Sequence, residues 1–270
     1  MHILLQFPKK CDMIIITAYI KIRKGSTTMN TIKVNAGKTL MVAHRGVSGL
    51  ERENTVAAFL AAGNRSYYGM ETDIYRTNDG NFILNHDGNL SRIAGENIKV
   101  EETSYETLRR ITLFDMNGKK DRVDLHLASL EEYVSICVRY EKVGVLELKS
   151  DFTDEEIAEL IRRIEAFDYL SGITFISFGY ENLLKVRAIR PEATCQFLTG
   201  DASDEMIARL AADKLDLDVH HDALTEERIA ALHAAGIRVN CWTVDSKERA
   251  EQLAAWGVDY ITSNILEAQA

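Results

Sequence analysis

Short apolar runs rich in β-branched residues recur along this chain, and each is followed by a segment with helical periodicity. Successive runs begin 30, 74, 29, 21, 21, 22 and 22 residues apart. Regular alternation of strands and helices predicts parallel strands joined by right-handed crossovers. Eight strands favour a closed (β/α)8 TIM barrel, an α/β fold, over an open doubly wound sheet. The predicted strands begin near Leu40, Met70, Gly144, Ile173, Thr194, Leu215, Ile237 and Asp259.

Helix signals lie between the predicted strands. Ser129 with Glu132 and Thr153 with Glu156 have the spacing of a capping box, and each pair precedes an apolar stretch of helical period. No Gly-x-Gly-x-x-Gly motif follows any strand, which argues against a dinucleotide-binding sheet. The helix signals therefore support the barrel.

The second predicted strand is the first arm of a predicted β-hairpin. Asp79-Gly80 lies between two strand-like runs, which is the strongest short-range hairpin signal in a sequence. If these two residues form the turn, Asp73 lies opposite His86. Glu71 shares a face with Asp73, because side chains alternate along a strand. The hairpin therefore predicts that two carboxylates and an imidazole converge on one surface.

The long interval of 74 residues contains the return arm of this hairpin and then an insertion. A segment inserted just after the top of a barrel strand is expected to lie over the barrel mouth and to shape or cover a site there. We expect residues 39–270 to form the barrel domain and residues 88–128 to form the insertion. Residues 1–38 are expected to be a poorly ordered N-terminal extension.

Polar residues follow three of the predicted strands, and active sites of such barrels form at the carboxyl ends of the strands. Three carboxylates that face one barrel mouth repel one another and need a cation if all are to stay ionised. A hard, oxygen-seeking ion such as Mg²⁺ or Ca²⁺ resolves this conflict, whereas zinc prefers nitrogen and sulfur ligands. The polar residues are His44, Arg45, Glu71, Asp73, Glu147 and Lys149, with His86 on the return arm of the hairpin.

Several motifs occur together in a fixed order: His44-Arg45-Gly46, Glu53-Asn54-Thr55, Glu71-Thr72-Asp73, Asn78-Asp79-Gly80, His86-Asp87, Glu147-Leu148-Lys149, Trp242-Thr243-Val244, Gly257-Val258-Asp259 and Ile261-Thr262. In order and spacing, this set resembles the glycerophosphodiester phosphodiesterase family of metal-dependent TIM barrels. The resemblance covers roughly residues 39–264.

The resemblance implies hydrolysis of a glycerophosphodiester to glycerol 3-phosphate and an alcohol such as choline, ethanolamine or glycerol. It also implies that the nucleophile can be the substrate's own glycerol hydroxyl, which would give a cyclic phosphate intermediate. Which histidine performs which proton transfer is left open. The implied roles are general acid and base for His44 and His86, binding of Mg²⁺ or Ca²⁺ for Glu71, Asp73 and Glu147, phosphate binding for Arg45 and Lys149, and contact with the substrate glycerol for Trp242.

The chain departs from the family pattern at a few positions. Arg52 replaces the usual Pro before Glu-Asn-Thr, and Gly179 replaces an acidic or amide residue after Ser-Phe. The segment from Thr262 to Ile265 replaces the common Thr-Asp-x-Pro. None of these changes removes a predicted ligand or acid–base group, so the sequence constrains the reaction type more than the substrate range.

Composition narrows the possible partners. A net charge of −9 argues against nucleic acid, whose phosphate backbone requires a basic surface. The four cysteines have no metal-binding spacing and are typical of a reducing compartment, so we expect a cytoplasmic protein that acts on a small molecule.

The apolar run from Met13 to Ile20 is too short to cross a bilayer, and no cleavage site follows it, so no stable membrane anchor is expected. Met29 is an alternative natural start, and the oligomeric state is left open.

Three alternatives accompany this interpretation. A lysophospholipase D-type phosphodiesterase would need an apolar groove for an acyl chain. An aldolase-like barrel would use Lys149 as a Schiff-base lysine. A non-catalytic binding module is disfavoured by the presence of both His44 and His86.

Overall fold

The computed structural model describes residues 30–269 of the 270-residue chain. Most of the predicted N-terminal extension, residues 1–29, lies outside this range. None of the helices within it combines the length and apolar character needed to cross a membrane. The strands are β1 (Ile32–Val34), β2 (Leu40–Ala43), β3 (Gly69–Arg76), β4 (Phe82–Leu84), β5 (Val143–Leu148), β6 (Ile173–Ser177), β7 (Thr194–Thr199), β8 (Asp216–His220), β9 (Val239–Trp242), β10 (Tyr260–Ser263) and β11 (Leu266–Ala268).

Eight parallel strands of the described chain, β2, β3 and β5 to β10, close into a barrel, which confirms the predicted TIM fold. Closure occurs where β2 pairs with β10 on one side and with β3 on the other. Each predicted strand start lies within two residues of an observed one. The apolar runs are therefore barrel strands buried on both faces, as is typical of parallel sheets.

Helices cover the outside of the barrel. Both predicted capping boxes are present, because Ser129 and Thr153 each exchange two hydrogen bonds with the glutamate three residues later. The helices are α1 (Val56–Gly63), α2 (Ser91–Ala94), α3 (Tyr105–Arg109), α4 (Leu130–Tyr140), α5 (Asp154–Glu165), α6 (Tyr180–Ile189), α7 (Asp204–Asp213), α8 (Glu226–Ala234) and α9 (Lys247–Ala255).

The apolar core has two parts around the barrel wall. The larger part fills the space between strands and helices. A smaller cluster of side chains from five barrel strands fills the inside, so the barrel is a packed body with a site at its mouth and not a channel. The inner cluster consists of Val42, Val145, Ile176, Leu198 and Tyr260.

The predicted hairpin is present as β3 and β4, but its turn differs from the prediction. The loop has three residues, 78–80, closed by a hydrogen bond of 2.8 Å from the Thr77 N–H to the Asn81 carbonyl. Gly80 ends the loop in the left-handed conformation, with φ +81°. A three-residue loop that ends in such a glycine is a common alternative to the two-residue turn that Asp-Gly suggests.

The extra loop residue shifts the hairpin pairing by one position. Tyr75 pairs with Ile83, and the Asn85 N–H donates to the Asp73 carbonyl at 3.1 Å. The prediction that His86 lies opposite Asp73 is therefore wrong. A shift of one residue reverses the face on which each side chain lies, so strand pairing cannot be what brings His86 to the site.

The insertion has a small apolar core of its own, which packs on the hairpin. Tyr75 and Ile83 of the hairpin belong to this core. Arg109 of α3 also forms two hydrogen bonds, of 2.6 and 2.7 Å, with the Glu132 carboxylate at the start of α4. The insertion residues in this core are Leu90, Ile93, Ala94, Val100, Leu108, Ile111, Leu113, Leu125 and Leu127.

Candidate active site

The loop between β2 and α1 brings His44 and Arg45 to the barrel mouth. Arg45 and Gly46 have positive φ angles of 53° and 73°. A Cβ atom on Gly46 would lie 2.6 Å from the backbone carbon of Ala58 in α1, which is closer than real Cβ contacts. The Arg45 N–H donates to Glu71 Oε2 at 2.8 Å. A glycine at position 46 therefore lets the loop pass close to the helix and keeps the two functional side chains at the mouth.

Three carboxylates from two adjacent strands meet at the floor of the mouth. Glu71 and Asp73 are two residues apart on β3 and therefore share a face. Glu147 on β5 pairs in register with Asp73. One oxygen atom from each of the three lies within 4.8 Å of the others. The three residues are only 3%, 0% and 8% exposed. The predicted ligands are therefore together and largely shielded from water.

The protein's own charges do not let all three carboxylates ionise easily. Burial and the charge of Asp73 raise the pKa of Glu71 well above its usual value, and the same causes raise the pKa of Glu147 to about 7. Burial also opposes ionisation of Asp73, but Arg45 and Lys149 outweigh it and lower the pKa of Asp73 to about 2. Asp73 is thus stabilised in its ionised form by two cationic side chains, whereas ionisation of Glu71 and Glu147 is disfavoured.

This donor set fits a hard divalent cation. All of its candidate ligand atoms are carboxylate oxygens, which Mg²⁺ and Ca²⁺ prefer. Asp73 Oδ1 is buried and accepts no hydrogen bond from the described residues, and Lys149 Nζ lies 3.5 Å from it, so this oxygen can coordinate an ion. The three carboxylates would hold the cation, and its charge would relieve their mutual repulsion.

Two cationic side chains flank the carboxylates. Lys149 Nζ lies 2.8 Å from Glu147 Oε1 and 3.5 Å from Asp73 Oδ1. Arg45 contacts Glu53 at 2.9 Å and Asp73 at 3.5 Å. Burial would lower the pKa of Lys149, but Asp73 and Glu147 outweigh this effect and raise it. Both side chains therefore stay charged at the mouth, where an anionic group would meet them.

His44 has a neutral partner that fixes the position of its proton. The Asn264 side chain donates from Nδ2 to Asp245 Oδ2 at 2.6 Å, so its Oδ1 must face the other way. That oxygen lies 2.7 Å from His44 Nδ1 and accepts the ring proton. Nε2, which lies 3.9 Å from Glu71 Oε2, is then the unprotonated nitrogen of the neutral ring. Burial, followed by the charge of Arg45, lowers the pKa of His44 to about 4.

His86 has an anionic partner instead. Its Nδ1 lies 2.8 Å from Asp87 Oδ1, and the other carboxylate oxygen accepts from Arg92 Nε at 2.7 Å. An ionised carboxylate only accepts, so Nδ1 carries a proton and Nε2 is available for chemistry. His86 lies in the irregular segment after β4 and reaches the site from there.

Seven of the eight predicted site residues line one pocket of about 110 Å³ at the barrel mouth. Asp73 lies beneath it, fully buried within the carboxylate cluster. Phe178 and Trp242 meet edge to face at the rim, with ring centroids 5.7 Å apart. The predicted residues in the pocket wall are His44, Arg45, Glu71, His86, Glu147, Lys149 and Trp242.

Sequence reasoning missed most of the residues that hold these groups in place. Asn54 is the exception: the sequence suggests that it caps or braces α1 and touches the site, and it donates to Asp73 Oδ2 at 2.8 Å. Asn264 lies in the segment that departs from the family pattern, and nothing local indicates its contact with His44. Asp218 lines the pocket, but alternation along its strand does not tell an inward side chain from a solvated one.

Comparisons with known proteins agree with this geometry. Residues 44–267 match the model of the glycerophosphoryl diester phosphodiesterase family. A glycerophosphodiester phosphodiesterase from Caldanaerobacter subterraneus is 26% identical over 232 residues, which cover 84% of this chain and 94% of the relative.

Two solved structures are similar to this chain over most of its length. The structure of an Oleispira antarctica phosphodiesterase in complex with the product sn-glycerol 3-phosphate is similar with a TM-score of 0.76 and 24% identity, covering 84% of this chain and 93% of that one. A protein from Galdieria sulphuraria has the same TM-score at 22% identity, covering 87% of this chain and 96% of that one. At this level of identity, the likeness establishes the fold.

Proposed function

Since the chain belongs to the glycerophosphoryl diester phosphodiesterase family, we propose that it hydrolyses glycerophosphodiesters to glycerol 3-phosphate and an alcohol with the help of a divalent cation. One observation carries the proposal: three buried carboxylates, two cations and two oriented imidazoles meet at one barrel mouth. Each group has a task in cleaving a phosphodiester, and no other described cluster combines them.

The anionic phosphodiester would bind where the cationic groups meet the carboxylates. Arg45 presents a guanidinium that can contact two phosphate oxygens, and Lys149 contributes a compact charge. When bound by Glu71, Asp73 and Glu147, Mg²⁺ or Ca²⁺ supplies charge neutralisation for the phosphate oxygens. Trp242 and Phe178 provide an aromatic wall for the carbon skeleton of the substrate.

The partners of the two histidines suggest how they divide the proton transfers. The amide of Asn264 leaves His44 neutral beside Arg45, so Nε2 accepts the proton of the attacking hydroxyl, which belongs to water or to the substrate's glycerol. The oxygen of that hydroxyl bonds to phosphorus; where it is the glycerol hydroxyl, a cyclic phosphate forms, and water must then open it to give glycerol 3-phosphate. The carboxylate of Asp87 holds the ring of His86 through Nδ1 and leaves Nε2 free, so we assign to this nitrogen the donation of a proton to the leaving alcohol as the ester bond breaks.

The aldolase-like alternative is not supported by the surroundings of Lys149. A Schiff-base lysine needs a lowered pKa so that the free amine can attack a carbonyl. Asp73 and Glu147 have the opposite effect here and hold Lys149 in its charged form. Lys149 is therefore better suited to binding an anion than to forming an imine.

The decisive assay incubates pure protein with glycerophosphocholine, glycerophosphoethanolamine or lysophosphatidylcholine in Mg²⁺, Ca²⁺ or EDTA. Glycerol 3-phosphate should form from the first two substrates, and EDTA should abolish its formation. Lysophosphatidate from the third substrate would indicate the lysophospholipase D-type activity instead. No metal-dependent product from any of them would refute the proposal.

A Glu71→Ala variant tests the metal assignment apart from turnover. We expect the melting temperature of the wild type to rise on titration with the activating ion, because the ion binds only the folded site. The variant should need a higher ion concentration for the same rise. An unchanged ion requirement in a folded Glu71→Ala variant would rule Glu71 out as a ligand.

A further inference from the structure

Asp218 is a buried acidic residue of the pocket that has no role in the steps above. It lies on β8 between Leu198 of β7 and Asn240 of β9 in the strand register. It is 2% exposed, and it lines the same pocket as His44 and Glu147. It is not a member of the cluster formed by the three metal-binding candidates.

The protein leaves this carboxyl group partly unsatisfied. Asp218 Oδ1 is buried and has no hydrogen-bond partner within residues 30–269. The side chain of its polar neighbour Asn240 hydrogen-bonds to other residues: it accepts from the Thr262 hydroxyl at 3.1 Å and donates to Gln196 at 3.3 Å. A buried polar atom without a partner is costly, so such an atom in a pocket wall points to a ligand.

A second unsatisfied atom lines the same pocket on the adjacent strand. Trp242 Nε1 is buried and has no acceptor among the described residues. Trp242 pairs in register with His220, two positions beyond Asp218 on β8. The pocket wall therefore offers an N–H donor and a carboxyl group within one small region.

The chemistry of this pair selects a hydroxyl group over an ammonium group. An ammonium group has no lone pair and would leave the indole N–H unsatisfied, whereas a hydroxyl group both donates and accepts. Asp218 Oδ1 and Trp242 Nε1 both lack partners among the described residues, and one hydroxyl group can bond to a carboxyl oxygen and to an indole N–H at the same time.

We propose that Asp218 hydrogen-bonds a free hydroxyl of the substrate's glycerol moiety and makes that hydroxyl a requirement for tight binding. The inference rests on the proposed function and adds a specificity-determining residue to it. It predicts that the enzyme distinguishes glycerol phosphates from alkyl phosphates of equal length, which lack the hydroxyl group that Asp218 would contact.

Calorimetric binding in EDTA tests the inference without turnover. The ligands are sn-glycerol 3-phosphate and n-propyl phosphate, which has the same carbon chain without hydroxyls. The wild type should prefer glycerol 3-phosphate by about tenfold, as expected for one hydrogen bond to a buried group. Asp218→Leu should bind the two ligands within about twofold of each other, and Asp218→Asn, which keeps a hydrogen-bonding side chain, should retain part of the preference.

Leu198→Met is the matched control, because Leu198 lines the same pocket on the neighbouring strand and has no polar atom. It should keep the wild-type preference. Retention of the full preference in folded Asp218→Leu would overturn the inference. Hydrolysis by the wild type would still support the proposed function in that case. Failure of the wild type to hydrolyse any glycerophosphodiester would overturn both.

Discussion

At the scale of single residues, the two histidines of the pocket differ mainly in what holds them. His44 is tied to the amide of Asn264 and His86 to the carboxylate of Asp87. Both keep Nε2 available, because their Nδ1 atoms donate to these partners. The same side-chain type can therefore serve as the proton acceptor in one position and as the donor in the other.

Replacing either histidine should remove one proton transfer. We expect His44→Ala and His86→Ala each to lower kcat by about 10² to 10⁴, the usual contribution of a general acid or base. Steady-state kinetics with glycerophosphocholine measures the effect. His233→Ala is the control, since His233 also lies 2.8 Å from a carboxylate, that of Asp259, but on α8 and away from the pocket. Near-normal turnover in a folded His86→Ala variant would refute its role.

At the scale of elements, the site depends on irregular segments that follow regular strands. The β2–α1 loop delivers His44 and Arg45, and the segment after β4 delivers His86. The insertion ties these two segments together, because Arg92 of α2 binds Asp87 on one side and Glu53 on the other, at 2.6 to 2.8 Å. Glu53 in turn contacts Arg45.

The β2–α1 loop should not tolerate a side chain at Gly46. Gly46→Ala combines a positive φ with a contact of 2.6 Å to helix backbone, so we expect it to lower the free energy of unfolding by more than about 2 kcal/mol. Gly37→Ala is the control, since Gly37 has φ +55° but no atom near its added Cβ, and should cost about 1 kcal/mol or less. Urea unfolding measures both. Equal losses would show that the close approach to α1 is unimportant.

The insertion should influence turnover through Arg92. Arg92→Gln frees both Asp87 and Glu53, so we expect kcat to fall about 10- to 100-fold as His86 and Arg45 lose their orientation. Arg110→Gln is the control, because Arg110 is also in the insertion, but its side chain is 81% exposed and, within residues 30–269, forms an ion pair only with Glu106, at 3.8 Å. Kinetics with one substrate compares them. Similar rates for both variants would separate the insertion from catalysis.

At the scale of the whole molecule, one buried carboxylate joins the two ends of the described chain. Strand β1 pairs with β11 in parallel, and Glu267 of β11 accepts hydrogen bonds from the Ser66 N–H and hydroxyl at 2.7 and 2.8 Å. It also binds Lys33 at 2.9 Å and the Thr31 hydroxyl. Burial opposes ionisation, but these partners outweigh it and lower the pKa of Glu267 to about 2.

The lowered pKa of Glu267 makes stability depend on pH in a defined window. Because the folded-state pKa lies below the unfolded value of about 4.3, the ionised group stabilises the fold at neutral pH, and this contribution is lost as the pH falls from about 4.5 towards 2. Glu267→Gln should therefore destabilise the protein by about 1 to 3 kcal/mol at pH 7, and the difference should shrink below pH 4. Urea unfolding between pH 3 and about 7 measures this. Glu106→Gln, at an exposed position, should show no such window.

The sequence by itself determined the order of strands and helices, because alternation and helical periodicity are local properties. It also determined the carboxylate pair on β3, since residues two apart on a strand share a face whatever surrounds them. The capping boxes at Ser129 and Thr153 follow from spacing alone. The fold and the residues of the site's floor were therefore predictable.

Only the tertiary structure decided how the other groups meet. The hairpin register depends on whether two or three residues form the turn, and Asp-Gly fits both, so the position of His86 could not be read from pairing. The contact between His44 and Asn264 joins residues 220 positions apart. Within residues 30–269, Asp218 Oδ1 has no partner, and its neighbour Asn240 hydrogen-bonds to Gln196 and Thr262, which lie 44 and 22 positions away in the sequence. Local sequence sets which faces side chains share, whereas closure of the barrel sets which of them touch.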